Sequence, residues 1–339
     1  MSRTLNVAVA GATGAVGIDI LACLERRRFP VGSLRLLASA RSVGRTLPFA
    51  GRLYPVEELT EGSFEGIDLA LFSAGASRSR QFARAAVKAG AVVVDNSSAF
   101  RMDPDVPLVV PEINPDDLDR HSGIIANPNC STIIMIVPLW PIHRVNPIRR
   151  IVAATYQAAS GAGAKAMQEL EDQTRRVLAG EPANPQVLPH QIAFNIFSHN
   201  SAIDATGYCE EETKMILETR KIFHAPELAV TATCVRVPVL RAHSESINIE
   251  LTRPMEPDEA REILRRAPGI RLQDDRAKNH FPMPIEATGR DEILVGRLRK
   301  DLSHPNGLAM FVSGDQLLKG AALNAIQIAE ALLARGRLR

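Results

Sequence analysis

The sequence predicts a two-part α/β protein: a doubly wound parallel sheet first, then an α+β region with a mixed or antiparallel sheet. Three observations carry this. Strands and helices alternate over the first 126 residues, the pattern of parallel βαβ units. The glycine-spaced stretch "GATGAVG" lies between the first strand and the first helix. After residue 126 the pattern changes, and β-branched alternating runs such as "AVTATCVRVPV" and "SINIELTRP" appear, expected as antiparallel neighbours.

The elements follow in order. "LNVAVAGATGAVGIDILACLERR" reads as strand, turn and helix, with Leu5, Val7 and Val9 in the strand and Val16, Ile18, Leu21 and Leu24 at helical spacing. "LRLLAS" and "IDLALFSAG" are further strands. "SRSRQFARAAVKAG" is an Ala-rich helix stopped at Gly90. "AVVVDNSS" is nearly all apolar at its start, as a strand buried on both faces requires. Beyond it come a helix after Cys130, a strand starting in "RRIVAATYQAAS", and a helix "KAMQELEDQTRRVLAG" closed by Gly180. "GYCEEETKMILETRKIF" is a helix with acids early and bases late, which suits its dipole. "PDEAREILRRA" and the amphipathic "GAALNAIQIAEALLARG" complete the set.

Composition narrows the function classes. The 339 residues carry a net charge of +2 and only 4% aromatics, so there is neither a basic stripe nor a stacking platform for nucleic acid. The longest apolar run, "TIIMIVPLW", is far short of a membrane span, and the Gly-rich N-terminus does not read as a signal peptide. None of the four cysteines, Cys23, Cys130, Cys209 and Cys234, forms a CxxC pair; no metal site is expected, and the setting is read as reducing and cytoplasmic.

Two stretches carry chemistry. Gly11, Gly14 and Gly17 are spaced G-x-x-G-x-x-G, a variant of the dinucleotide fingerprint; with Ala12, Thr13, Ala15 and Val16 they would present helix N-terminal N–H groups to a pyrophosphate. Roughly 20 residues on, an NAD site places an acid on the ribose. Here the chain has "LLASARSVG", with Ser39, Arg41 and Ser42 and no acid, a combination suited to a 2′-phosphate and hence to NADP(H). The second stretch is "NPNCST". Pro128 and the cap-forming residues around it place Cys130 at the start of a helix, where the dipole lowers a thiol pKa. A buried core thiol is the alternative reading of Cys130 taken alone. Among eight histidines, His243 in "RVPVLRAHSESI" stands at a strand mouth, near enough to Arg236 to share a pocket.

"GATGAVG", "SARSVG", "DNSSAFR", "NPNCST", "YQAASGAG", "EETK", "RVPVLRAH" and "GDQLLKGAALN" occur in this order and span nearly the whole chain. Together they resemble the aspartate-β-semialdehyde dehydrogenase family. The resemblance implies a Rossmann-like NADP-binding domain over 1–126, an α+β catalytic and dimerisation domain over 127–318, and a C-terminal helix, 319–339, returning to the first domain. It implies a homodimer, with a tetramer as the other option. The implied reaction interconverts L-4-aspartyl phosphate with L-aspartate 4-semialdehyde and phosphate, on the route to lysine, threonine, methionine and diaminopimelate. Carried over by position, Cys130 would be the nucleophile, Gln157 would orient the reacting group, and His243 would be the general acid/base. Arg236 would bind the substrate carboxylate and Glu211 its ammonium, with Lys214, Arg101 and Asn129 on phosphate. Ser73, Gly75, Ser160, Gly161 and Asn324 would join the nucleotide contacts. The competing readings are N-acetyl-γ-glutamyl-phosphate reductase, an acyl-CoA reductase of the same fold, and a catalytically silent NADP-binding paralogue. "NPNCST" and the Glu211/Arg236 pair, suited to a free amino acid, favour the first assignment.

Overall fold

The computed structural model describes residues 4–338 and divides into two compact units, one ending at Asn129 and resuming at Ala321, the other Cys130–Gly320. The first unit is built from β1 (Leu5–Ala10), α1 (Ala15–Arg26), β2 (Val31–Ala38), β3 (Thr46–Phe49), β4 (Arg52–Glu58), β5 (Leu69–Phe72), α2 (Ala76–Lys88), β6 (Val92–Asp95) and β7 (Ile124–Ala126). The strands form one sheet in the order β3-β4-β2-β1-β5-β6-β7, parallel except for the edge strand β3. The strand order reverses beside β1, whose Leu5 and Val7–Ala10 are fully buried because helices cover both faces. That reversal places a crevice at the carboxyl end of β1, where the glycine turn lies.

The second unit contains α3 (Cys130–Val145), β8 (Ile148–Gln157), α4 (Ala164–Leu178), β9 (Phe197–Ser198), α5 (Glu210–Ile222), β10 (Ala229–Arg236), β11 (His243–Leu251), α6 (Pro257–Arg265), β12 (Ile270–Leu272), α7 (Pro284–Ala287), β13 (Ile293–Lys300) and β14 (Gly307–Gly314). Its sheet, β12-β13-β14-β11-β8-β10-β9, is mixed. β10 and β11 are not antiparallel neighbours as their alternation predicts. β8 lies between them, parallel to β10 and antiparallel to β11. The connection Val237–Ala242 has no tight-turn pair; it crosses the end of β8 instead, its carbonyls at Val239 and Leu240 accepting from Ala159 and Ser160 at 2.8 and 3.0 Å. A π-helical turn, Leu318–Ala322, then leads into α8 (Leu323–Ala334) of the first unit. There Arg27 of α1 makes a two-pronged ion pair with Glu330, at 2.8 and 2.6 Å.

One face of the mixed sheet is covered by α3 and α5. α3 is buried all round from Ser131 to Leu139, as a helix inside a core is, and only its last turn, with His143 and Arg144, turns polar. On the opposite face Val152, Ala154, Val235 and Phe311 are half-buried and Tyr156 and Thr233 are exposed. The covered face carries two levels of polar side chains. His243, Gln157 and Arg236 form the upper level, and Glu245, Thr155 and Cys234 the lower.

Glu245 is fully buried and neither carboxylate oxygen has a hydrogen-bond partner. Burial first, and then the charge of Glu211, hold its carboxyl well above the ordinary carboxylate value. The folded chain therefore keeps a proton that the unfolded chain releases above about pH 4.3. Stability falls as pH rises from there towards the folded-state value. Glu245→Gln should remove this penalty, raising the unfolding midpoint at pH 8 by roughly 3 °C and by less at pH 5, as thermal scans at the two pH values would measure.

Candidate active site

In the first unit the glycines serve different ends. Gly11 adopts φ +88°, and a Cβ there would lie 2.3 Å from the Ser73 carbonyl oxygen. Gly17 abuts the Gly11 carbonyl equally closely, so α1 can pack against the turn only without a side chain there. Gly14, exposed and extended, caps α1 and leaves its N-terminus uncovered. Ala12 is buried behind the turn, and Ala15 and Val16 form the first helical positions. Thr13 Oγ1 lies 3.4 Å from Ser42 Oγ, which joins the glycine turn to the loop after β2. That loop is a 3₁₀ turn, Ala40–Ser42, entered from Ser39, with Arg41 exposed at its tip. Gly75, at φ +87°, opens α2 beside Ser73. The glycine turn, the loop after β2 and the start of α2 thus converge on the crevice at β1, as a dinucleotide site requires.

The segment before Cys130 is held by amides. Asn127 donates to Asn96 Oδ1 at 2.9 Å, and Asn324 donates to Asn127 Oδ1 at 2.5 Å and to the Val109 carbonyl at 3.0 Å. Asn324 is fully buried, so its side chain braces the "NPN" segment. Arg101 is fixed by the carbonyls of Asn127 and Asn96, at 2.9 and 2.8 Å. Arg101 and the buried Asn129 belong to this unit.

The second unit brings the reactive side chains together. Cys130 is the first residue of α3, where helix N–H groups have no intrahelical partner. It is the one partly exposed cysteine of the four, and all four are thiols rather than disulfides. Gln157, at the end of β8, donates through Nε2 to Ser131 Oγ at 2.7 Å and to Glu211 Oε1 at 3.1 Å, leaving its buried Oε1 without a partner. Glu211 lies in the first turn of α5, where a helix dipole favours an acid, and Lys214 Nζ stands 3.7 Å away. Glu212 fastens that turn by accepting from the backbone N–H groups of Cys209 and Cys234, both at 2.9 Å.

Arg236 and His243 share the backbone of one residue. The Ala158 N–H donates to His243 Nδ1 at 3.0 Å, and the Ala158 carbonyl accepts from Arg236 Nη1 at 2.7 Å. Arg236 Nη2 also meets His199 Nε2 and Asn200 Oδ1, each at 3.0 Å. His243 Nε2 has no partner. Burial, followed by the Arg236 guanidinium, pushes the His243 pKa down to about 3. Ala242, directly before it, holds φ +72°, an uncommon conformation for alanine, and its N–H donates to Gln316 Oε1 at 2.9 Å. Gln316 also holds Ser160.

Ser160 and Gly161 belong to this cluster. A Cβ at Gly161 would lie 3.0 Å from His243 Cε1 and 3.3 Å from Arg236 Nη1. Sequence reasoning missed Ser131, Ala158, His199, Asn200, Gln316 and Gly320. Gly320 packs so tightly on Cys130 that a Cβ would lie 2.8 Å from the cysteine Cβ. Only the glycines in "YQAASGAG" and "GDQLLKG" could have signalled such close approaches. Among the described residues no group of side chains could hold a metal ion, and no helix is long and apolar enough to cross a membrane.

Gly161→Ala should displace His243 and Arg236 by a few tenths of an ångström. Steady-state kinetics should show kcat/KM falling about 10- to 100-fold, with an unfolding midpoint close to that of the parent.

Residues 6–121 match the family model described as semialdehyde dehydrogenase, NAD binding domain, and residues 139–319 match semialdehyde dehydrogenase, dimerisation domain. An aspartate-semialdehyde dehydrogenase of Synechocystis sp. is 56% identical over 338 residues, covering all of both chains. That of Aquifex aeolicus is 54% identical over 335 residues, 98% of each chain. The crystal structure of aspartate semialdehyde dehydrogenase II from Vibrio cholerae, complexed with ASA, superposes with a TM-score of 0.95 at 45% identity, covering 98% of this chain and 99% of that one. Glycine turn, helix-borne thiol and full-length similarity agree: the chain belongs to the aspartate-semialdehyde dehydrogenase family.

Proposed function

We propose that the chain reduces L-4-aspartyl phosphate to L-aspartate 4-semialdehyde and phosphate with NADPH, through a thioester on Cys130. The observation that carries this reading is the joining of Cys130's helix, Gln157, Glu211, Arg236 and His243 by direct hydrogen bonds and sheet register within one unit. The enzyme is an oxidoreductase acting on an aldehyde and uses a pyridine nucleotide. The choice of NADP is supported by the acid-free loop with Ser39, Arg41 and Ser42, and by an NADP-bound relative from Candida albicans, 26% identical over 98% of this chain, TM-score 0.77. The close approach of Gly11 to Ser73 fits a backbone cradle for the pyrophosphate, with the N-terminus of α1 above it.

Each side chain has work to do. The Cys130 thiolate attacks the acyl phosphate carbonyl, and phosphate leaves. When bound, NADPH supplies the hydride that reduces the thioester carbonyl. The oxygen so formed is served by His243, and its collapse returns the thiolate and releases the aldehyde. Glu211 takes the substrate ammonium and Arg236 the α-carboxylate, Nη1 keeping one N–H beyond that given to Ala158 and Nε–H having no partner, while both hydrogens of Nη2 go to His199 and Asn200. A free ammonium opposite Glu211 is what an N-acetylated substrate lacks. Gln157 aligns the acyl group, and Lys214, Arg101 and Asn129 bind phosphate. Two copies would associate through the exposed face of the mixed sheet around Tyr156 and Phe311, the unit matched by the dimerisation model; a tetramer is the larger alternative.

Phosphate-dependent NADP reduction should proceed with aspartate semialdehyde and run at least about 100-fold slower with N-acetylglutamate semialdehyde; equal rates would overturn the substrate assignment. Cys130→Ser should lose about 10³-fold or more in kcat. Arg41→Ala should raise KM for NADP about 10-fold, the worth of one charge-assisted phosphate contact, and leave KM for NAD unchanged.

A further inference from the structure

We propose that His199 and Asn200 position Arg236 in different ways: His199 is a fixed strut between Arg236 and the helix that carries Glu211, and Asn200 holds the place of the substrate α-carboxylate and leaves when it arrives. This division rests on the roles given above to Arg236 and Glu211 and deepens them. It follows from how the Arg236 donors are shared out. Nη1 gives one N–H to the Ala158 carbonyl, and the two hydrogens of Nη2 go to His199 Nε2 and Asn200 Oδ1, each at 3.0 Å. A guanidinium grips a carboxylate through two parallel N–H groups, Nε with Nη2 or Nη1 with Nη2. Nη2 belongs to both forks, so a two-pronged grip on the α-carboxylate requires one of its present partners to yield.

His199 is the partner that is built in. Its backbone N–H donates to the Cys234 carbonyl at 2.9 Å, next to the β9–β10 ladder that pairs Phe197 with Arg236. Arg236 can only donate, so Nε2 accepts and the proton of the neutral ring sits on Nδ1. Burial, the largest effect, lowers the His199 pKa to about 4, which keeps the ring neutral at neutral pH. Nδ1 lies 3.0 Å from Ser201 Oγ and 3.2 Å from the Ser201 nitrogen, and of the two only the hydroxyl can accept from it. Ser201 Oγ in turn accepts from the backbone N–H of Glu211 at 3.2 Å, one of the helix-start donors that has no intrahelical partner. A chain of hydrogen bonds thus runs from Arg236 through His199 and Ser201 to Glu211. It ties the group that takes the carboxylate to the helix turn that presents the group for the ammonium, and both end members are buried.

Asn200 lacks these ties. It is exposed, and its side chain makes no hydrogen bond besides that to Arg236 among the described residues. Its Oδ1 is neutral, whereas a carboxylate oxygen meets the same N–H with the opposite charge, so the substrate is the stronger partner. Once Asn200 leaves Nη2, the Nε–H of Arg236, buried and without a partner, stands beside it as the second prong. Until then Asn200 keeps the guanidinium satisfied and aimed, so that the fork is already in place when the carboxylate enters.

Crystal structures of the enzyme alone and soaked with L-aspartate semialdehyde test this directly. With the aldehyde bound, a carboxylate oxygen on Nη2 and Asn200 Oδ1 out of hydrogen-bond reach are expected, with His199 Nε2 in place in both structures. Asn200 still on Nη2 beside a carboxylate held by Arg236, or His199 displaced, overturns the proposal. A carboxylate resting away from Arg236 overturns the role given to Arg236 instead. Kinetics supply the second arm. His199→Ala should raise KM for L-aspartate semialdehyde about 10-fold and leave KM for NADP unchanged, and His199→Gln, whose amide oxygen can accept near the Nε2 position, should return to within about 3-fold of the parent. Asn200→Ala should lower the same KM about 3-fold, the competing contact being gone. A merely structural turn would move His199→Ala and Asn200→Ala in the same direction; an unchanged or raised KM in Asn200→Ala, or no recovery in His199→Gln, overturns the division. With 3-aminopropanal, which keeps the ammonium and lacks the carboxylate, His199→Ala and Asn200→Ala should both match the parent, and shifts equal to those with aspartate semialdehyde overturn the proposal. Failure of the parent enzyme to turn over aspartate semialdehyde would overturn the substrate assignment instead.

Discussion

The site depends on the main chain of one residue. Ala158 follows the last residue of β8 and offers one main-chain donor and one acceptor. The donor orients the imidazole of His243 and the acceptor holds the guanidinium of Arg236. These side chains come from the facing ends of β10 and β11, strands that β8 separates in the sheet. The imidazole and the guanidinium are therefore fixed against the nitrogen and the oxygen of the same residue. Their spacing is a property of the sheet register, not of two independent rotamers.

Around that residue the remaining parts are fastened by polar contacts that suit a buried site. Ser131 and Glu211 both accept from the amide nitrogen of Gln157. Glu212 anchors the first turn of α5 to β10, so Glu211 and Lys214 are presented from a rigid helix end. Gln316 supports both the left-handed Ala242 and Ser160. In the first unit the asparagines 96, 127 and 324 perform the same service for the chain leading into Cys130. Buried polar groups satisfied in this way specify one geometry. Gln157 Oε1 and His243 Nε2 are left without a partner within the site, and so are both carboxylate oxygens of Glu245, one level below His243.

Much of this was legible in the sequence, and for identifiable reasons. The apolar strands of the first sheet and the glycine turn announce themselves because a buried parallel sheet tolerates few other residues. Cys130 could be placed at a helix start from the proline and cap-forming residues beside it. The strand pairing of the second sheet could not be read in the same way, since alternation reports a face and not a neighbour. The hairpin β13–β14 went unseen because Gly296, Arg297 and Arg299 interrupt its apolar pattern. β3, β7 and β12 are too short to show a period. Ala158 is invisible to any reading of side chains, because its main-chain atoms do the work. His199 and Asn200, which hold Arg236, sit in a polar loop with no periodicity to distinguish them.

The distribution of the thiols has a practical side. Cys23 lies within α1, Cys209 caps α5, and Cys234, its thiol pushed up by burial, faces Met215 at 3.6 Å. All three are buried, and Cys130 alone reaches the surface of its unit. A sulfur-selective label applied to the folded chain thus reads out a single atom, and that atom is the one on which the acyl group would be carried. The incorporated stoichiometry becomes a census of competent centres in a preparation, separable from total protein.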